Sequence, residues 1–235
     1  MSTKVKAIVI GGTNIKEKDR IITLFSLERG KISASMKGVR GEKAKLKSAK
    51  ELFCFGEFII EEGKNINVIT SVDVLDNFYD LTKDIDKYYE GCAILDIINK
   101  VVVEPNPALF IETIKALKSL CYDKLSKFYV IDKFLITIFK AMGYDFITDK
   151  CSTCGAKLGN RYLNLDIGEI VCTNDKTSMC ISVTDACYSA IKIFDMTDYE
   201  KLPTIKIGGN GEAQAFSVLS QNYEWRTGYK VLNLL

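Results

Sequence analysis

Apolar and polar residues alternate along roughly the first 75 positions, and from about residue 78 the apolar positions recur every three to four instead. Val5 to Ile10 is an alternating run that breaks at Gly11-Gly12. Ile21 to Leu27 is a second run, closed by the turn Glu28-Arg29-Gly30. In Lys31 to Met36 the residues Ile32, Ala34 and Met36 fall on one face. Leu52 to Glu61 and Ile66 to Val74 complete a set of five short strands separated by turn residues. Five strands in so short a segment predict a small closed barrel of the OB type.

The helical period then takes over. Ile94, Ile97, Ile98 and Val101 form a stripe that stops before Pro105. Pro107 opens a helix carrying Phe110, Ile114, Leu117 and Cys121. Ile131, Leu135, Ile138 and Met142 repeat the spacing, with Gly143 as the stop. Thr184 or Asp185 caps a helix with Ala190, Ile193 and Phe194. A last helix follows Gly208 to Gly211, with Ala213, Phe216 and Leu219 on its apolar side, and the tail from Trp225 to Leu235 is apolar enough to dock on the body. The predicted fold class is α+β: an N-terminal OB-fold barrel, then a helical bundle with an inserted cysteine-rich, zinc-ribbon-like module. The expected divisions are 1–78 for the barrel, 79–150 with 182–235 for the helical domain, and 151–181 for the module.

Charge sharpens this picture. Residues 1–50 hold 13 Lys or Arg against 4 Asp or Glu, whereas the remainder of the chain is net negative. The densest run is Lys31, Lys37, Arg40, Lys43, Lys45, Lys47 and Lys50, opposed by Glu42 alone. Such a strip is the electrostatic footprint of a polyanion, most simply nucleic acid. Three or four lysines would be ordinary solvated charge keeping a strand edge soluble; seven basic residues in twenty fit that reading less well. The candidate phosphate contacts are Arg20, Lys31, Lys37, Arg40, Lys43, Lys45 and Lys47. Phe53 and Phe55, alternating on the fourth strand, read as barrel core and not as platforms for bases.

The 8 cysteines divide into two kinds. Cys54, Cys92 and Cys121 are lone residues in apolar stretches and read as reduced core thiols. Cys151-x2-Cys154-Gly155, followed by Cys172 and Cys180, has the spacing of a structural Zn2+ site. A second C-x2-C is absent, since Asp175 stands three residues after Cys172. The fourth ligand is therefore Cys180 or the Asp175 carboxylate, with Cys187 a weaker third choice. The chain has no histidine, so imidazole is excluded.

That absence also removes the commonest general base and any Ser-His or Cys-His nucleophile. No phosphate-binding P-loop occurs, and the glycine clusters at 11–12 and 208–211 read as turn and helix-entry chemistry. A binding protein is expected, not an enzyme. Met1-Ser-Thr-Lys leads into a short alternating segment, so no secretion signal is expected, nor a membrane span. The expected location is the cytoplasm.

The assembled order resembles the RecO family of bacterial DNA repair proteins and recombination mediators. Lys4 to Ile10 is similar to its first strand, and Glu17 to Lys31 to its second strand and turn. Lys37-Gly38-Val39-Arg40 matches its K-G-x-R loop, Cys151-x2-Cys154-Gly155 with Gly168 to Cys172 its zinc module, and Thr227 to Leu235 its closing segment. The resemblance implies a non-enzymatic protein that binds single- and double-stranded DNA and anneals complementary strands. It implies partners too: the C-terminal tail of single-strand-binding protein, and RecR, with which it promotes RecA loading. It places the protein at the nucleoid, with no membrane partner. Two other readings keep the same residues: a zinc-stabilised scaffold, and an RNA-binding protein, in both of which the basic strip is not a DNA site.

Overall fold

The computed structural model describes residues 2–15, 17–41, 46, 48–126, 128–208 and 210–231. Contacts group the chain into two compact units, Met1–Cys121 and Tyr122–Leu235.

The first unit begins with strands β1 (Ser2–Ile15), β2 (Asp19–Ser26), β3 (Gly30–Met36), β4 (Phe55–Glu61) and β5 (Asn67–Asp76). They close into a barrel in the order β1-β2-β3-β5-β4. All pairings are antiparallel except the short parallel contact of Ala34 and Ser35 with Asn67 and Val68. Closure by β1 against β4 removes the free edges that a five-stranded sheet would expose. The interior is filled by one residue in two, including Val5, Ala7, Val9, Leu24, Ala34, Met36, Phe58 and Ile60.

The alternate face is not all solvent. Ile8 and Phe25 pair across β1 and β2 and are fully buried. Phe25 meets Phe110 edge-on, with ring centres 5.3 Å apart, and Phe55 lies 6.2 Å from the same ring. Phe110 belongs to α2 (Pro107–Tyr122), which with α1 (Ile85–Val101) completes the unit. These strands are thus sandwiched between the barrel core and the helices, which is why their sequences are apolar beyond simple alternation. Neither Phe53 nor Phe55 lies in the barrel interior as expected: Phe55 is half-buried on the outer face toward Phe110, and Phe53 is buried outside the barrel. It precedes β4 and packs against α1, where a Cβ on Gly91 would stand 3.0 Å from its ring.

Gly11-Gly12 does not end β1. The strand continues to Ile15 through a register shift between Val9 and Gly11. A Cβ on Gly12 would stand 2.8 Å from the Ile21 carbonyl oxygen and 2.9 Å from Arg20 Nε. The glycine pair is a bulge where neighbouring groups press close, not a turn.

The second unit holds α3 (Tyr129–Ala141), a three-stranded sheet, α4 (Asp185–Met196) and α5 (Gly211–Thr227). The sheet has order β7-β6-β8, from β6 (Arg161–Asn164), β7 (Glu169–Val171) and β8 (Cys180–Val183). Ile131, Leu135 and Ile138 are buried on α3 as their spacing predicts. Thr184 caps α4, its hydroxyl accepting from the Cys187 amide at 3.2 Å. The apolar side of α5 differs from the expected one. Leu219 is buried, but its companions are Ala215, Val218, Asn222 and Tyr223, while Ala213 is exposed. A polar residue, Asn222, occupies the core stripe, and this hides the face from a hydrophobicity pattern.

Candidate nucleic-acid surface and metal centre

β3 ends at Met36, and the chain turns through Lys37 to Gly41. The turn is tied to the start of β2: the Gly38 amide donates to the Asp19 carboxylate at 2.8 Å, and the Arg40 amide to the Lys18 carbonyl at 3.0 Å. Gly41 N–H closes the turn on the Gly38 carbonyl at 3.0 Å. Asp19 is therefore engaged with backbone, and Lys37, Arg40 and Lys18 are exposed. Sequence reasoning missed Lys18. It lies before β2, and the cross-turn hydrogen bond from Arg40 brings its backbone to the basic turn.

The other expected phosphate contacts divide. Arg20 is half-buried on the barrel wall, with Nη1 donating to Asn14 Oδ1 at 3.2 Å. Lys31 is not a free surface cation. Its ammonium donates to the Asn99 carbonyl at 2.6 Å, in the last turn of α1, where a cation meets the unpaired carbonyls and the negative end of the helix dipole. Lys43, Lys45 and Lys47 lie outside the described residues.

In the second unit the sequence folds a sulfur cluster. Cys151 N–H donates to the Ala156 carbonyl at 2.8 Å and Gly155 N–H to the Cys151 carbonyl at 2.9 Å. Gly155 takes φ +72°, the left-handed conformation that this tight knuckle requires. Cys172 follows β7 and aims its amide at Cys151 Sγ, 3.3 Å away. Asp175 Oδ2 lies 3.1 Å from Cys151 Sγ and 3.2 Å from Cys172 Sγ, and Cys154 Sγ lies 3.8 Å from Cys172 Sγ. All four ligand atoms lie within 4.8 Å of one another.

This geometry fits a metal ion. A tetrahedral thiolate site with metal–sulfur bonds of about 2.3 Å has sulfur–sulfur edges of about 3.8 Å. The electrostatics agree. Desolvation pushes the Cys151 thiol up, but hydrogen bonds from the amides of Cys154, Cys172 and Thr153 outweigh it and hold the thiol below its ordinary value. Hydrogen bonds from Cys154, Cys151 and Cys172 hold the Asp175 carboxyl below the usual range, and the same carboxylate pushes the Cys154 thiol up to about 12. In this state the thiols act as donors toward one carboxylate, and a cation would replace their protons.

Cys180 is not in the cluster. Cys172 follows β7 at the Arg161 end of β6, whereas Cys180 pairs with Asn164 at the other end. Three residues of strand separate them by roughly 10 Å, too far for one ion. Cys180 Sγ instead accepts the Thr177 amide at 3.3 Å. Lys176 lies over the Tyr162 ring at 4.4 Å and anchors the loop that carries Asp175. Cys187 is buried in the unit's core, where burial pushes its thiol up to about 12. Cys54 and Cys121 are buried and Cys92 is half-buried. No described helix is long and apolar enough to cross a membrane.

The comparisons with known proteins cover both units. Residues 1–78 match the family model described as Recombination protein O N terminal, and residues 82–233 match Recombination protein O C terminal. DNA repair protein RecO of Acetivibrio thermocellus is 33% identical over 186 residues, covering 76% of this chain and 74% of that protein. DNA repair protein RecO of Clostridium novyi is 28% identical over 228 residues, covering 94% and 89%. That of Thermoanaerobacter sp. is 30% identical over 214 residues, covering 88% and 85%. With an OB-like closed barrel and a basic turn in its first unit and a cysteine cluster in its second, the chain belongs to the RecO family, and its role is in DNA repair and recombination.

Proposed function

We propose that the protein is a non-enzymatic recombination mediator that binds single- and double-stranded DNA on its barrel and anneals complementary strands. The observation that carries this reading is the Lys37–Gly41 turn. It places Lys37 and Arg40 on an exposed turn of the barrel, held in a fixed position by the Gly38 amide on the Asp19 carboxylate and the Arg40 amide on the Lys18 carbonyl. Cations held on an OB-type wall neutralise phosphates without reading bases, and binding then releases counterions. Lys18, Lys37 and Arg40 make such a surface, and the expected contacts Lys43, Lys45 and Lys47 lie outside the described residues. Two strands held on one cationic surface repel each other less, which favours their pairing.

In this reading the barrel at 1–78 is the DNA-binding part, and 79–150 with 182–235 the helical part that takes the acidic tail of single-strand-binding protein. RecR is the second partner, and RecA loading the outcome. The ion held by Cys151, Cys154, Cys172 and Asp175 in the segment 151–181 is Zn2+. Four protein ligands leave it no open position, so its contribution is structural. The working location is the cytoplasm, at the nucleoid.

The test is annealing of complementary strands coated with single-strand-binding protein, across a salt series, beside Lys37→Glu/Arg40→Glu. Annealing that weakens with salt and is lost in the double variant is the expected result. A folded wild type with no affinity for DNA, or a variant that anneals as well as wild type, would overturn it.

A further inference from the structure

Within the first unit, a cavity of about 420 Å³ opens between the barrel wall and the start of α1. This lies within the roughly 300–1,000 Å³ range of small-ligand sites. Arg20, Glu51, Phe53, Asn77, Tyr79 and Tyr88 contribute to its lining. Three aromatic rings, one amide and one guanidinium are the equipment that takes a nucleobase by its face and its edge while holding a phosphate.

The groups are poised for a guest. Tyr79 is 67% exposed, and the Lys83 ammonium stands 5.2 Å from the centre of its ring. Arg20, which lines the cavity, is held from the other side by Nη1 on Asn14 Oδ1 at 3.2 Å and by the close approach of its Nε to Gly12, and that Nε has no hydrogen-bond partner among the described residues. Glu51, the one acid on the lining, is paired with Lys50, so the cation is not countered by a free carboxylate.

The backbone is strained where the cavity is built. Phe53 takes φ +69° and Phe78 φ +46°, left-handed conformations that bulky residues rarely adopt. Phe53 lines the cavity, and Phe78 is the link between its neighbours Asn77 and Tyr79. Phe78 N–H is fixed on Asp76 Oδ1 at 2.8 Å, and Phe78 itself is fully buried. Strain of this kind persists only where packing over-determines it, and it concentrates at ligand clamps.

Described residues that flank the basic run in sequence border the cavity. Arg20 pairs in register with Met36, the residue before Lys37, and Ser48 and Glu51 of the lining follow Lys47. A strand held on the Lys37–Gly41 turn therefore lies next in register to the strand that carries Arg20 to the cavity.

The geometry points to a base-capture pocket: one nucleotide of a bound single strand places its base among Tyr79, Tyr88 and Asn77, with its phosphate at Arg20. A captured base is held out of the stack while its neighbours remain free to pair, and the bound strand acquires a fixed point. This rests on the proposed DNA-binding role of the barrel.

The test compares two probes by fluorescence anisotropy: a short thymidine homopolymer, and a strand of equal length that is abasic throughout. The proteins are wild type, Tyr79→Ala and Ser48→Trp; residues 79 and 48 are both exposed, and circular dichroism checks folding. Wild type is expected to prefer the thymidine strand by about five- to tenfold, the low end for one base on an aromatic ring. Both variants are expected to lose that preference. Equal wild-type affinity for the two strands, or a preference that survives both variants, would overturn the pocket while leaving phosphate binding intact. No binding of either strand by folded wild type would overturn the DNA-binding reading and the pocket with it. Thermal stabilisation of wild type by free thymidine monophosphate, without a strand preference, would make this a free-nucleotide site and overturn the assignment to a strand.

Discussion

The barrel and the cysteine module answer the same problem, how a short stretch of chain acquires a fixed shape, by opposite means. The barrel closes five strands around a continuous apolar interior from Val5 to Ile69 and covers part of its outer wall with Phe110 and its neighbours. The module has strands of four, three and four residues. Around them it buries little more than Leu158, Leu163, Ile170 and Val171. So small a sheet is marginal alone. Its fixed point is the cluster of three sulfurs and one carboxylate, which could hold a metal ion and where such an ion would supply what an apolar core supplies in the barrel. The difference teaches that the barrel is stabilised by many interchangeable contacts, the module by a few that are not.

The largest expected effect breaks the module and spares the barrel. Cys151→Ser is expected to abolish metal retention, measured by mass spectrometry, and to release amide protection across 151–181 in hydrogen exchange. Structural zinc contributes about 10–16 kcal/mol of apparent binding free energy in small zinc domains, more than this sheet has by other means. Amides of β1 to β5 are expected to keep their protection. Unchanged metal content would sink the site. Asp175→Asn sharpens the result: it is expected to weaken metal binding at least about tenfold, the lesser loss typical of outer-shell groups, while Cys180→Ser leaves it unchanged.

The complementary break is in the barrel. Phe58 is fully buried at the centre of the core, and Phe58→Ala is expected to cost about 3–5 kcal/mol. Denaturant unfolding followed at the barrel would show it, with metal content unchanged. A loss well beyond that range, with the barrel unfolded in water, would mean that it depends on single contacts as the module does; a loss below about 1 kcal/mol would mean that Phe58 is not the packed centre of the core.

The two regions were also unequally legible in sequence. Alternation located all five barrel strands because a closed barrel buries one residue in two, and the pattern survives averaging over neighbours. The C-x2-C-G knuckle was legible because its ligands are local. The fourth ligand was not. Cys180 and Asp175 are distinguished by strand register, since pairing with Asn164 carries Cys180 to the far end of β6. Lys31 illustrates the same limit. In sequence it is one cation of a basic run, and only the arrival of the α1 C-terminus at its ammonium makes it a helix-end partner. Gly11-Gly12 reads as a turn until the register shift in β1 and the close approach of the Ile21 carbonyl and Arg20 to Gly12 show why a side chain is missing there. Asn77, Tyr79 and Tyr88 carry no motif at all; they become a constellation through two left-handed phenylalanines. What depends on spacing along one element was legible, and what depends on which elements meet was not.

The smallest expected effect asks whether charge contributes to the barrel's closure. Lys4 of β1 lies 2.6 Å from Glu57 of β4, across the seam that closes the barrel. The hydrogen bond between them, and then their mutual attraction, raises the Lys4 ammonium above its ordinary value. The hydrogen bond from Lys4 likewise lowers the Glu57 carboxyl. The signs fix the window. Glu57, lowered in the folded state, contributes stability that is present above the ordinary value of 4.5 and fades as pH falls through its folded value. Lys4, raised in the folded state, contributes stability present below 10.5 and lost as pH rises through its folded value. Both groups are solvent-screened, so the difference between wild type and Lys4→Ala is expected to be small, salt-sensitive and confined to the pH range between those limits. Urea unfolding at low, neutral and high pH measures it. A difference that persists below the carboxylate range would assign the effect to lost packing of the lysine stem against the barrel wall. Apolar contact would then hold even the seam, and the contrast with the module would widen.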